Sequence, residues 1–199
     1  MVDKVKECFK ELTDSNLPQT IYLDTSVLIH AFTPKSEFYV ECQTFLENIK
    51  KCQSELVFSN MLYPELWCAV IKTTIKGNFK EAKNPTDYAK AHPRYIREYF
   101  QKALKIEKRL KEHKYSTVPV EKDVIDKARI IMPQYKVGSA DAIHIATAEI
   151  LGILDVACVD KDWENLPSHT DKIRIWCEKK AYQKFIKRNP IFKNIDLSK

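Results

Sequence analysis

Thr20-Ile21-Tyr22-Leu23-Asp24-Thr25-Ser26-Val27-Leu28-Ile29-His30-Ala31 opens on an apolar, β-prone run, stops at an aspartate, and passes through two hydroxyl residues into a second apolar stretch. Thr20–Leu23 predicts a short strand. Thr25 or Ser26 can cap a helix through Ala31, because a side-chain oxygen there satisfies one of the helix's unpaired N–H groups. A strand running straight into a helix is half of a β–α–β unit, and the same grammar recurs along the chain. Leu56–Phe58, Thr117–Val120 and Leu154–Val159 read as strands, with Ile173–Trp176 as a fifth. Phe38, Cys42, Phe45 and Ile49 recur at steps of four, three and four and predict a helix over 36–52. Ser59 can cap a helix to about Lys76, Ile96–Leu110 is amphipathic, Glu121–Met132 ends at Pro133, and Ser139 can cap 140–151, which stops at Gly152. Residues 3–13 fit a short helix with Val5, Cys8, Phe9 and Leu12 on one face, and Lys76–Pro93 reads as a loop or broken helix.

The apolar runs of the strands are continuous rather than alternating, which calls for a parallel sheet covered on both faces. The expectation is α/β: a parallel sheet of four to five strands with helices on both faces. The chain of 199 residues reads as one domain over 1–199, with a core of about 19–177, a helical insertion of about 77–114 and a basic tail over 178–199.

Composition removes several classes of function. The chain holds 3 glycines, against roughly fourteen at average usage, and Gly77, Gly138 and Gly152 are far apart. Glycine-rich phosphate loops need glycines close together, so P-loop NTPases, dinucleotide-binding dehydrogenases and glycine-loop kinases are excluded. The six cysteines include no CxxC or CxxH spacing, which argues against structural zinc. Most sit among apolar residues, as in Trp67-Cys68-Ala69-Val70, and they read as reduced core thiols of a cytoplasmic protein, with no secretory signal and no run long enough to span a membrane. Residues 72–129 hold 16 basic and 8 acidic side chains, and 161–199 hold 10 and 5, whereas 1–71 and 130–160 are net acidic. Basic blocks of this kind attract phosphate backbones or are lysine-rich solvated surface.

Four acids fall where elements meet. Asp24 closes the first strand, Asp160 follows the fourth in Cys158-Val159-Asp160-Lys161-Asp162-Trp163, Asp141 lies in the first turn of the 140–151 helix, and Glu65 lies early in the helix after Leu56–Phe58. Ligands of open parallel sheets bind at the carboxyl ends of the strands, the edge where these acids collect. Acids grouped in this way repel one another unless a cation neutralises them. All-oxygen ligation selects Mg2+ or Mn2+.

These segments resemble the PIN-domain nuclease family. Ile21 to Ile29 looks like its opening strand and first acid, and Ser59 to Leu66 resembles the segment in which a glutamate follows the second strand. Ser139-Ala140-Asp141-Ala142-Ile143-His144-Ile145-Ala146-Thr147-Ala148 is similar to its D-A-x-H-x-A-T-A helix, and Cys158 to Trp163 resembles its closing segment, with Cys158 for the usual Thr and Trp163 for Phe. The four occur in the family's order. The resemblance implies a PIN-like, Rossmann-like sheet of parallel strands and a metal-dependent phosphodiesterase whose metal-binding acids are Asp24, Glu65, Asp141 and Asp160, with Asp162 as a further acid and Ser26 as a small polar residue near the metal. Ser139 and His144 are supporting candidates; His144 shares a helix face with Asp141 and either touches a phosphate or is a packed, hydrogen-bonded histidine. The expected activity is a Mg2+- or Mn2+-dependent endoribonuclease, in the manner of VapC-type toxins that pair with an antitoxin, acting as a homodimer. A housekeeping RNA-processing nuclease, a DNA-directed nuclease and a non-catalytic binding module remain the alternatives. Lys76, Arg94, Arg97, Lys161 and Arg174 are candidates for holding RNA. Tyr95 and Tyr99 either stack bases or belong to a core.

Overall fold

The computed structural model describes residues 9–79, 82–160, 163 and 173–177. Six strands lie among them: β1 (Phe9–Glu11), β2 (Thr20–Leu23), β3 (Glu55–Ser59), β4 (Tyr115–Val118), β5 (Asp155–Ala157) and β6 (Arg174–Cys177). Seven helices lie among them as well: α1 (Thr25–Ala31), α2 (Tyr39–Cys52), α3 (Leu62–Asn78), α4 (Pro85–Ala91), α5 (Pro93–Leu110), α6 (Lys122–Tyr135) and α7 (Ser139–Ile150). The strands form one sheet in the order β1-β6-β5-β2-β3-β4, and every pairing is parallel.

The continuous apolar runs explain the layering, because successive strand residues point to opposite faces. Ile21, Leu23, Leu56, Phe58, Ala157 and Trp176 join a core with Val27, Leu28, Phe45 and Ile49 of α1 and α2. Their neighbours Tyr22, Val57, Val156 and Ile175 join a second core with Val124, Ile131, Ile145 and Ala148 of α6 and α7. From β2 the chain steps outward to β3 and β4, then crosses back to lay β5 on the other side of β2. That reversal makes the β2–β5 boundary the topological switch point, where an open α/β sheet leaves a crevice at its carboxyl edge.

The sheet holds one strand more than expected. Phe9–Glu11 is a strand rather than part of a helix: it pairs with Ile175, Trp176 and Cys177 of β6 at the sheet edge, and residues 1–8 lie outside the described part. The helix caps also differ from expectation. Asp24, not Thr25 or Ser26, caps α1, accepting from the Ser26 amide. Ser59 stays in β3 and Ser139 is the first residue of α7, so neither caps a helix. Pro133 sits inside α6, which runs on to Tyr135 and ends with Lys136 in the left-handed region.

α4 and α5 form an arm on α3. α5 packs along α3 through Leu66, Val70, Ala103 and Ile106. Beyond it α4 closes a small aromatic core of Phe79, Tyr88, Tyr95 and Tyr99. Tyr99 is buried there and stacked on Tyr95, so it serves the core rather than a base. No helix among the described residues is long and apolar enough to cross a membrane.

Candidate active site

At the carboxyl edge of the β2–β5 boundary β2 and β5 end, and α3 and α7 begin close by. Leu23 delivers Asp24 at the end of β2, where the carboxylate is buried and caps α1: the Ser26 amide donates to Oδ2 at 2.9 Å. The Ser26 hydroxyl donates to the same oxygen, and the Cys158 thiol donates to it at 3.5 Å. Ser26 Oγ in turn accepts from the Val159 amide at 3.2 Å, and Cys158 Sγ accepts from the Asp160 amide at 3.3 Å. The chain leaving β5 is therefore pinned to the first turn of α1. Burial, followed by the charge of Asp24, pushes the Cys158 thiol up, so it is a protonated donor and not a thiolate. It takes the place in which the family motif carries a hydroxyl, and here it still donates to the first acid.

Glu65 stands in the first turn of α3 and leans back over α1. Its Oε2 accepts from Thr25 Oγ1 at 2.6 Å and from His144 Nε2 at 2.8 Å. His144 is buried on α7, with Nδ1 2.9 Å from Tyr22 Oη, and the Ser59 amide donates to that phenol oxygen at 3.2 Å. An ionised Glu65 only accepts, so Nε2 of His144 carries a proton. Burial alone would strip the imidazole of charge, but its hydrogen bond to Glu65 and the neighbouring Tyr22 and Asp24 outweigh that and hold its pKa at about 10. Glu65 responds in the opposite sense: burial would raise it, yet the hydrogen bond and charge of His144, aided by Thr25, leave it below the usual carboxylate value. His144 is thus a packed, hydrogen-bonded cation facing two acids, and Asp24 Oδ1 lies 3.8 Å from its Nε2.

Asp141, in the first turn of α7, accepts from Trp163 Nε1 through Oδ1 at 2.9 Å. Its Oδ2 lies close over Gly138, where a Cβ would stand 3.1 Å away. Asp160 is exposed just past β5, and its charge reaches His30 near the end of α1.

The structure therefore sets Asp24, Glu65, Asp141 and Asp160 on elements that meet at one edge, and hydrogen bonds tie Glu65 to α1 and α7. Among the described residues, no three His, Cys, Asp or Glu side chains are already gathered around a single point. The donor chemistry nonetheless fits a hard divalent cation: the acids offer oxygen ligands, and Asp24 presents a buried carboxylate. Asp162 and Lys161 lie outside the described residues. Ser139 is exposed at the head of α7.

The remaining candidates for nucleic-acid contact lie elsewhere. Arg174 begins β6 at the opposite, amino edge of the sheet and donates to Asp155 Oδ2 at 2.5 Å, an acid that also accepts from Trp176 Nε1 at 2.8 Å. It neutralises a buried carboxylate rather than facing the crevice. Lys76 is exposed eleven residues beyond Glu65, about 16 Å along α3. Arg94 and Arg97 are exposed on the first turns of α5. Sequence reasoning passed over Thr25 and Trp163 as partners of the acids and Tyr22 as the partner of His144. A hydroxyl inside the otherwise apolar strand Ile21-Tyr22-Leu23 was the available signal for Tyr22.

A family model of the PIN domain matches residues 21–168, a span that starts in β2 and contains all four acids. No curated protein matches the sequence.

Proposed function

The chain belongs to the PIN-domain family, and from that premise we propose that it is a Mg2+- or Mn2+-dependent endoribonuclease. PIN domains are typically nucleases, so hydrolysis of nucleic acid is the broad activity. The finer reading adds the metal, the RNA substrate and the residues. The observation that supports it is that one buried imidazole, His144, faces both Glu65 Oε2 and Asp24 Oδ1 at the sheet edge where α7 begins with Asp141 in its first turn and the chain that bears Asp160 leaves β5. In this reading Asp24, Glu65, Asp141 and Asp160 hold the cation, with Asp162 as a further acid. When bound, a divalent cation supplies an acidified water for attack on phosphorus and stabilises charge on the leaving oxygen.

The chain's own residues then do the positioning. Ser26 and Cys158 orient Asp24 through Oδ2, Thr25 and His144 orient Glu65 through Oε2, and Trp163 orients Asp141 through Oδ1. The positive charge of His144 lowers the repulsion between Asp24 and Glu65 before any cation arrives. We read the protein as one domain, cytoplasmic and homodimeric. Its cellular setting in this reading is a toxin held in check by a protein antitoxin; toxicity on expression, relieved by that partner, identifies the pairing.

The experiment is cleavage of end-labelled structured RNA and single-stranded DNA with Mg2+, Mn2+ or EDTA, comparing wild type with Asp141→Asn. RNA cuts that need the metal and vanish in the variant bear the proposal out. Cuts confined to DNA redirect the substrate, and equal cutting by both proteins removes the carboxylate mechanism.

A further inference from the structure

α5 carries six exposed cations, Arg94, Arg97, Lys102, Lys105, Lys108 and Arg109. At 3.6 residues per turn they fall within an arc of about 140°, turned away from the buried stripe of Tyr99, Ala103, Ile106 and Leu110, and they run for about 22 Å along the axis. Amphipathic helices commonly show a charged outer face, but usually with both signs and with i,i+4 pairs between them. Here the pairing is missing. None of the six cations is in an ion pair among the described residues, whereas Lys114, Lys127, Arg129 and Arg174 each are. Glu107 of the same helix is turned the other way, accepting from Trp67 Nε1 at 2.5 Å; Glu98 is the one acid exposed inside the arc, four residues from both Arg94 and Lys102, and forms no ion pair with either among the described residues.

Three of the cations are ordered by rings instead. The Arg94 guanidinium lies 4.8 Å from the centre of Tyr95, Lys102 Nζ lies 4.9 Å from that of Tyr99, and the Arg109 guanidinium lies 5.4 Å from that of Phe32. A ring holds a cation without neutralising it. The result is a straight, partly pre-ordered row of positive charge on an arm whose own aromatic core keeps it in place.

We propose that this face of α5 is a phosphate-backbone surface that binds single-stranded nucleic acid outside the carboxylate crevice. The choice of nucleic acid among polyanions rests on the nuclease reading; the surface itself does not depend on catalysis. Binding of this type releases counterions, so affinity for a single strand falls with salt by about 0.7 in log–log slope for each phosphate neutralised.

The test is fluorescence anisotropy of a labelled, unstructured single-stranded RNA from 50 to 200 mM KCl. EDTA is present throughout, so that cleavage plays no part. Wild type is compared with Arg97→Gln/Lys105→Gln/Lys108→Gln and with the charge-preserving Arg97→Lys/Lys105→Arg/Lys108→Arg. The neutral variant should bind at least tenfold more weakly at 50 mM, with a salt slope smaller by about 2, while the charge-preserving variant keeps the wild-type slope. An unchanged slope in the neutral variant overturns the proposal, as does equal loss in both variants or tighter binding of poly-glutamate than of RNA. A protein that binds in EDTA but never cuts would sink the nuclease reading and leave this surface standing.

Discussion

Nε2 of His144 lies 2.8 Å from Oε2 of Glu65 and 3.8 Å from Oδ1 of Asp24, so one buried imidazole faces acids delivered by two different elements. Behind it Tyr22 Oη and the Ser59 amide continue the same chain of hydrogen bonds into β2 and β3. The rotamer of Glu65 is consequently set from the sheet, through α7, rather than by α3 alone.

Breaking that chain should disturb the site more than the fold. His144→Gln can reach Glu65 or Tyr22 but not both, and is expected to cost about 1–3 kcal/mol, since Glu65 keeps Thr25 and partial access to water. Tyr22→Phe leaves the buried Ser59 amide and His144 Nδ1 without that partner and should cost about 1–3 kcal/mol. In both, kcat should fall about tenfold or more while KM changes little, because Glu65 is mispositioned and the nucleic-acid surface is untouched. Urea melts beside steady-state kinetics check this; a rise in KM at constant kcat would contradict a positioning role.

The His144–Glu65 pair also fixes a pH window for metal-free protein. The folded pKa of His144, about 10, lies above its ordinary 6.5, so its contribution is complete below pH 6.5 and is lost as pH climbs toward 10. Glu65 is lowered from 4.5, so its contribution is complete above that value and is lost as pH falls through the depressed one. The pair therefore supports the fold most between about pH 4.5 and 6.5. Urea midpoints in EDTA at pH 6, 8 and 9.5 should decline for wild type and decline less for His144→Gln. Parallel curves for the two proteins count against the ion pair.

At the opposite edge, Asp155 is a structural acid. It is buried and takes donors from both Arg174 and Trp176. Asp155→Ala leaves a buried indole N–H without a partner, for a loss of about 2–4 kcal/mol. A thermal shift reports it, and a change within about 0.5 kcal/mol, as at an ordinary surface site, would mean that water replaces the carboxylate.

The cysteines give a chemical check on burial. Cys52 and Cys68 are exposed rather than core thiols as their sequence suggests, while Cys42, Cys158 and Cys177 are buried, and none of the five is in a disulfide. A brief treatment of native protein with a thiol reagent, read by peptide mass, should modify Cys52 and Cys68 first and Cys158 only after unfolding, since its raised pKa and its burial both suppress the thiolate. Early modification of Cys158 would show that the β5–α1 junction opens.

What could be read from the sequence was local. Ile21-Tyr22-Leu23 and Leu56-Val57-Phe58 were legible as buried strands because both faces of the sheet are covered, leaving no polar alternation. The acids were legible because each stands at the end of an element. β1 was not: Phe9-Lys10-Glu11 has no apolar run, and its partner lies more than 160 residues later in β6. His144 was legible as a packed, hydrogen-bonded histidine, but its partners were not, since the phenol lies 122 residues away. Arg174 counted as positive charge in the sequence, but only the pairing of β5 with β6 sets it beside Asp155. The caps fell to Asp24 instead of Thr25 because a carboxylate at the end of β2 already reaches the Ser26 amide.

Gly138 offers a separation of site from stability. Its φ is −65°, a conformation open to any residue, so alanine there meets no backbone strain. Replacing glycine narrows the unfolded ensemble, for a gain of about 0.4–1 kcal/mol, which roughly offsets the loss at this N-cap of α7, where glycine is preferred to alanine. The added Cβ would stand 3.1 Å from Oδ2 of Asp141, closer than ordinary contact, and Trp163 holds the other oxygen of that carboxylate in place. The carboxylate must then shift by a few tenths of an ångström against its indole partner. Gly138→Ala is therefore expected to keep the melting temperature while lowering kcat and weakening Mn2+ binding, each severalfold. Removing the indole in Gly138→Ala/Trp163→Phe should free the carboxylate to turn and return part of the metal affinity. A variant that melts earlier and binds Mn2+ as wild type does would show that Asp141 Oδ2 takes no part in the cation site.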